Sequence, residues 1–354
     1  MLTVKRGEQM QPPTTIRKNK ILKAVVEAYI KSGEPVGSKS LLNTLDFPVS
    51  SATVRNEMSE LSEMGLLLQP HTSAGRIPSQ EGIRFYVNKL MEKQPLSSSK
   101  RAVIYDALSY ADDPEKLLKT TVKTLAELTG AAVTATTPAS DNARIHRLKF
   151  VQTGRQTCMA VVIASTGLVK TRLFKCDYVV TEEIIRVYET LFNRSLEGMP
   201  VKSITPAFVQ TMAVEMGDLA LLVPGALAAI MSACGEIGGF NSTSAGRANV
   251  LSGELDSDTL KGLIKLLHSS EAIESLIAQL GSEKKIVVGT ESGASALSQM
   301  SVINEPYNID TSCSGMISAI TPLCCDYAYI VSALEYAGEC VSKFLKQMLS
   351  IEDL

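Results

Sequence analysis

Arg55 and Asn56, beside Ala52 and Thr53 in the run Ser51-Ala52-Thr53-Val54-Arg55-Asn56, are residue types able to read the edges of base pairs. An arginine guanidinium can make two hydrogen bonds to guanine and an asparagine carboxamide two to adenine. The methyl of Ala or Thr can meet the methyl of thymine. That chemistry needs the side chains together on the outer face of a helix that enters the major groove. The spacing meets this need. Val54, Met58, Leu61 and Gly65 recur at i, i+4, i+7 and i+11. With that face turned inward, Ala52, Arg55, Asn56 and Ser59 point outward and Thr53 lies at the margin.

Several short elements are needed to hold such a helix. Ile21, Leu22, Val25, Val26, Tyr29 and Ile30 follow helical spacing, and Gly33 is placed to stop that helix. Gly37-Ser38 opens a second short helix carrying Leu41, Leu42 and Leu45. Asp46-Phe47-Pro48 makes a turn that a helix cannot cross. Ser50 or Ser51 can cap the third helix, over 51–64, and Gly65 suits its left-handed end. Leu66 to Gln69 reads as a strand, His71-Thr72-Ser73-Ala74-Gly75 as a hairpin tip, and Arg76-Ile77 as the return. Ser79 caps a fourth helix through Ile83, Tyr86, Val87, Leu90 and Met91. Helix, turn, capped helix and hairpin together form the pattern of a winged helix-turn-helix. In that pattern Lys39, His71, Thr72, Ser73 and Arg76 are expected to grip the DNA backbone, with Ser51 and Thr53 supporting the base readers. Arg17, Lys18, Lys20 and Lys23 form a basic entry segment suited to phosphate or, equally, a solvated charged face.

Charge agrees with this division. The 354 residues carry a formal charge of −2, yet residues 1–95 are net +4 and residues 96–354 net −6, a basic module on an acidic body. Hydrophobic residues at 45% allow a real core. Aromatics at 5%, with no Trp, argue against a large stacking platform.

Gln94 to Ser99 reads as a linker, and residues 102–130 as helices. The run Cys158–Ala164 and the alternation of Val169, Thr171 and Leu173 with Lys170 and Arg172 read as strands. Helical spacing then returns until the strand Ile286-Val287-Val288. An isolated strand needs partners, so a helical block of about 100 residues is expected to interrupt one α+β domain.

Other functions find little support. His71, His146 and His268 are far apart, and no HExxH, GxSxG, Walker A or GxGxxG pattern occurs, so no enzyme, catalytic residue, metal or cofactor is expected. The seven cysteines are odd in number and contain no CxxC. No apolar signal segment follows Met1–Gln11, and reduced thiols in a cytoplasmic setting are expected. Residues 219–235 carry no charge, but Pro224-Gly225 interrupts them and no cation flanks them. A buried helix is expected there rather than a membrane span.

Three segments, GEPVGSKSL (33–41), SSATVRNEMSELSEMGLL (50–67) and QPHTSAGRIPSQEGIRFYV (69–87), closely resemble the bacterial heat-inducible transcription repressor family HrcA. The resemblance continues through Val288-Gly289-Thr290-Glu291, Ser301-Val302, Tyr307, Pro322 and Asp326-Tyr327. It implies a winged helix-turn-helix over 1–95, a GAF-like α+β domain over 96–178 and 282–354, and an inserted, mostly helical dimerisation segment over 179–281. It further implies a homodimer on the inverted repeat CIRCE, upstream of chaperonin and dnaK operons, with release on heating and the chaperonin GroEL as modulator. Where the family usually carries Gly-Pro-Thr-Arg-Met, this chain has Thr321-Pro322-Leu323-Cys324-Cys325 and lacks the arginine. A winged-helix factor sensing a small molecule through the GAF-like domain is the alternative, distinguished by a saturable thermal shift with a metabolite.

Overall fold

The computed structural model describes residues 13–71, 74–136, 143–165, 167–215, 223–238, 242–251, 256–269, 272–273, 275–276, 285–308 and 314–349. Helix α1 (Pro13–Ser32) ends at Gly33, whose φ of +70° is the left-handed conformation that closes a helix. The second helix expected from the sequence is only a 3-10 turn, Ser40–Asn43. Leu41 alone of its three leucines is fully buried, and one turn suffices to seat it. Beyond Pro48 comes α2 (Ser51–Glu63), then strands β1 (Leu67–Leu68) and β2 (Ile77–Pro78), paired antiparallel. Val36 extends this ribbon through reciprocal backbone hydrogen bonds with Arg76, at 2.8 and 2.9 Å. Helix α3 (Gln80–Phe85) runs on into a π-helical turn, Tyr86–Leu90. Ile21, Leu22, Val25, Val54, Met58, Leu61, Leu67 and Tyr86 form the common core of this module.

The stretch read as a linker is anchored rather than free. Leu96 is buried in the core of the body, and the Ser332 hydroxyl donates to the Gln94 carbonyl at 2.6 Å. Helices α4 (Ser98–Ser109) and α5 (Pro114–Thr129) lead into β3 (Ala132–Thr136). The chain then builds a separate unit. Strands β4 (Ile145–Gly154), β5 (Thr157–Ala164) and β6 (Val169–Lys175) form a three-stranded antiparallel sheet, followed by α6 (Glu182–Leu196), α7 (Pro206–Glu215) and α8 (Pro224–Gly238). One face of that sheet packs on α6 and α8 around the ring cluster Phe150, Phe174, Tyr188 and Phe192.

After this unit the chain returns through β7 (Ser242–Ala245), α9 (Arg247–Leu251), α10 (Ser257–His268), β8 (Ile286–Val288), β9 (Met300–Asn308), β10 (Ser314–Pro322) and α11 (Tyr327–Leu349). These strands and β3 make a five-stranded antiparallel sheet in the order β7-β3-β10-β9-β8. Its two faces are both covered. Val133, Ala135, Ile286, Val288 and Ile303 face α4, α5 and α11, while Ala132, Val287, Val302 and Ile320 face α9 and α10. Helices gathered around antiparallel sheets make this an α+β chain.

Ile286-Val287-Val288 thus finds its partners, but the interruption lies elsewhere than the sequence suggested. The strands at 145–175 leave the main sheet together with α6 to α8. Residues 242–268, expected within the insertion, rejoin it through β7. Alternation identifies a strand without naming its sheet; non-local pairing decides that. Of the uncharged stretch 219–235, residues 219–222 lie outside the described residues. Val223 precedes α8 and residues 224–235 belong to it, where Ala226, Leu227, Ile230, Ala233 and Cys234 are buried within the chain's own core. Among the described residues no helix is long and apolar enough to cross a membrane.

Candidate nucleic-acid interface

Ser50, rather than Ser51, caps α2. Its Oγ accepts from the Thr53 amide at 3.1 Å and lies 2.8 Å from the Thr53 hydroxyl. Ser51 Oγ instead meets Ser38 Oγ at 3.1 Å, tying the helix start to the preceding turn. The hydroxyls of Ser51 and Thr53 therefore fix where the helix begins. Val54, Glu57, Met58 and Leu61 are buried. Ala52, Arg55 and Asn56 are exposed on the opposite side, as the 3.6-residue period requires. Among the described residues neither Arg55 nor Asn56 has a hydrogen-bond or ion-pair partner, so their donors and acceptors are open to solvent. Lys39 is also exposed, at the N-terminal edge of the 3-10 turn.

Of the four hairpin residues expected at the backbone, His71 and Arg76 are described. His71 is exposed, and its carbonyl accepts from the Ala74 amide at 2.9 Å in the tip; Thr72 and Ser73 lie outside the described residues. Arg76 is half-buried, and its Nε donates to Ser62 Oγ at 3.1 Å, committing one edge of the guanidinium to the back of α2. Gly75 is required here for a reason of space, because a Cβ would overlap the Val36 backbone that pairs with Arg76.

The basic entry segment is consumed internally. Arg17 pairs with Glu57 (Nε to Oε1 2.7 Å), Lys18 with Glu60 (2.6 Å), Lys20 with Asp46 (2.7 Å) and Lys23 with Glu92 (2.5 Å). The hydrogen bond from Lys20 holds the Asp46 carboxyl below the usual carboxylate range, and Lys23 does the same for Glu92. Sequence reading missed the Arg17–Glu57 pair. The signal was an acid on the inward face of α2, next to Met58, which demands a cation.

The described cysteines are packing groups; Cys313 lies outside the described residues. Burial pushes the Cys158 thiol up to about 11 and the Cys234 thiol up to about 12, opposite to what a reactive thiolate requires. Cys324, where the family's arginine would stand, donates from Sγ to the Tyr29 carbonyl at the end of α1, at 3.1 Å. Among the described residues no group of His, Cys, Asp and Glu is arranged to hold a metal ion.

What the arrangement offers chemically is an exposed helical face with an uncommitted guanidinium and carboxamide, on a rigidly capped helix beside a hairpin tip. That is a geometry for reading a duplex edge.

The comparisons agree with this direction. The family described as HrcA protein C terminal domain matches residues 115–331. A "Heat-inducible transcription repressor HrcA" of Syntrophobacter fumaroxidans is 30% identical over 342 residues, covering 94% of this chain and 97% of the relative. One of the same description from Alkaliphilus metalliredigens is also 30% identical, covering 93% and 97%. A crystal structure of a hypothetical protein superposes with a TM-score of 0.65 at 24% identity, over 94% of this chain and 98% of that one, and shares the fold. The chain therefore belongs to the HrcA family of heat-inducible transcription repressors, which are not enzymes.

Proposed function

We propose that residues 1–95 work as a winged helix-turn-helix, with α2 laid in the major groove, Arg55 and Asn56 reading bases, and Ala52 against a thymine methyl. Thr53 and Ser51 hold the helix start, and Lys39, His71, Thr72, Ser73 and Arg76 serve the phosphate backbone. The observation that carries this reading is the contrast within one module. Four of its cations are spent on internal ion pairs, whereas Arg55 and Asn56 are exposed and unpartnered on the outer face of α2.

The chain acts as a homodimer in the cytoplasm, its GAF-like body carrying two such modules to an inverted-repeat operator of the CIRCE type. Protein symmetry is mirrored in the site. The open face of the three-stranded sheet supports a two-copy assembly. Met159, aligned with Val151 and Leu173, lies between them on the side away from α6 and α8, and Leu173 is 65% exposed. Release on heating needs no ligand if the folded dimer is marginally stable, since a loss of ~1–2 kcal/mol changes the active fraction several-fold. GroEL is the expected modulator of that fraction.

A gel-shift titration tests this reading, using the CIRCE repeat and a scrambled duplex of equal length, at two salt concentrations, with and without chaperonin. The expected result is preferential binding to the repeat, tightened by chaperonin. Equal, salt-sensitive binding to both duplexes would reject the operator. Absence of binding by folded protein would reject DNA recognition altogether.

A further inference from the structure

Helix α3 is gripped from both sides. Toward the body, Gln80 Nε2 donates to the Ser298 carbonyl at 2.7 Å, and Gln80 Oε1 accepts from the Thr290 amide and hydroxyl, each at 3.0 Å. Arg84 donates through Nε to Glu291 Oε1 at 2.7 Å and through Nη2 to the Ile286 carbonyl at 2.9 Å. Gly289, at φ +55°, lies so close to Gln80 that a Cβ would overlap its carboxamide. Ile83, between these two anchors, is buried in the body's core. Toward the hairpin, Ser79 Oγ donates to the Gly65 carbonyl at 2.6 Å, and a Cβ on Gly82 would overlap the Leu66 carbonyl. Gly65 and Leu66 follow Met64, the C-cap of α2. A short train of tight contacts thus runs from the edge strand β8 and the turn after it, through α3, to the end of α2.

We propose that Gln80 and Arg84, seated on Gly289-Thr290-Glu291, are positioning residues that set the angle of α2 on the body and so select operators by the spacing of their half-sites. The inference rests on the DNA-binding reading above and deepens it. Two helices held at fixed angles on a dimer can meet two grooves only at one separation. Modules on a loose hinge tolerate several, at the cost of effective concentration at the second half-site. The polar groups of this junction are engaged with each other, as expected of a structural latch. Leu96, Lys93 paired to Glu335 at 3.0 Å, and Cys324 on the Tyr29 carbonyl add further fastenings between module and body.

The test uses the full chain, wild type and the variants Glu291→Gln and Arg84→Ala, against three duplexes. One carries a single half-site, one the full repeat, and one the repeat with its spacer lengthened by about 5 bp, half a helical turn. The wild type should strongly prefer the native spacer. Both variants should reduce that preference by roughly tenfold while leaving half-site affinity within about twofold. Glu291→Gln leaves the sequence of the DNA-reading module untouched, and half-site binding itself reports whether that module is folded. An unchanged spacing preference in the variants, with specific wild-type binding, would overturn the latch alone. Half-site binding lost along with the preference would make these contacts supports of the module's fold and would also overturn it. Failure of the wild type to distinguish any duplex would defeat the DNA-binding reading, and this proposal with it.

Discussion

Arg55 owes its candidacy to what it lacks. Arg17, Lys18, Lys20 and Lys23 have carboxylate partners in the same module, and Arg76 leans on Ser62, but Arg55 extends from α2 without a partner among the described residues. Arg55→Ala should therefore leave the melting temperature unchanged, weaken operator binding by ~1–3 kcal/mol and relax preference at one position per half-site. Titration against a panel of single-base operator variants checks this, and retained preference would place the base-reading face elsewhere. Arg17→Ala should behave in the opposite way. It strands the buried Glu57 carboxylate, costing about 3 kcal/mol, the low end for orphaning a buried charge because Arg17 is itself 41% exposed. Chemical denaturation should register that loss, with DNA contacts weakened only through unfolding.

Elements carry the next set of consequences. The cap on α2 is a single hydroxyl, so Ser50→Ala should destabilise the protein by ~1 kcal/mol and lower operator affinity by loosening the turn that carries Ala52 and Arg55. In the separate unit, one face of the β4-β5-β6 sheet holds the ring cluster while the other presents Val151, Met159 and Leu173 in register. Leu173→Glu places a charge on that open face. Light scattering should show a shift from dimer to monomer, with binding to the full repeat lost and half-site binding kept. Persistence of the dimer would move the interface to another surface. Much of this was legible in the residues. Gly33, Pro48 and Ser79 act as the punctuation they resemble, because caps and breakers work through neighbours a few positions away. The short second helix was over-read for the same reason: Leu41, Leu42 and Leu45 have helical spacing, but only Leu41 is fully buried, Leu45 packs at the edge of the core and Leu42 is exposed.

At the scale of the whole molecule the module and the body share a set of polar fastenings, and one of them is sensitive to acid. Burial alone would raise the Glu335 carboxyl, but hydrogen bonds from Lys285 at 2.5 Å and Lys93 at 3.0 Å outweigh it and hold it below the ordinary glutamate range. A carboxyl lowered on folding stabilises the folded state above its unfolded pKa and loses that contribution as pH falls through its folded value. Wild type should therefore melt above Glu335→Gln at neutral pH, and the gap should close as pH drops below ~4.3. Calorimetry across that range is the measurement, and coincident melting at pH 7 would remove this bridge from the stability of the junction.

The residues by themselves determined what depends on local chemistry: where helices start and stop, and which side of α2 faces outward. The family resemblance at 33–41, 50–67 and 69–87 was legible for the same reason, since those stretches build one contiguous module. Tertiary structure decided what depends on partners distant in sequence. Arg17 meets Glu57 from 40 residues away, and Cys324 reaches Tyr29 across 295. The strands at 145–175 joined each other rather than the sheet of Ile286–Val288, although nothing in the apolar pattern of either set names its sheet. A side chain's type limits what it can bond, but which partner satisfies it is settled only when packing brings distant segments into reach.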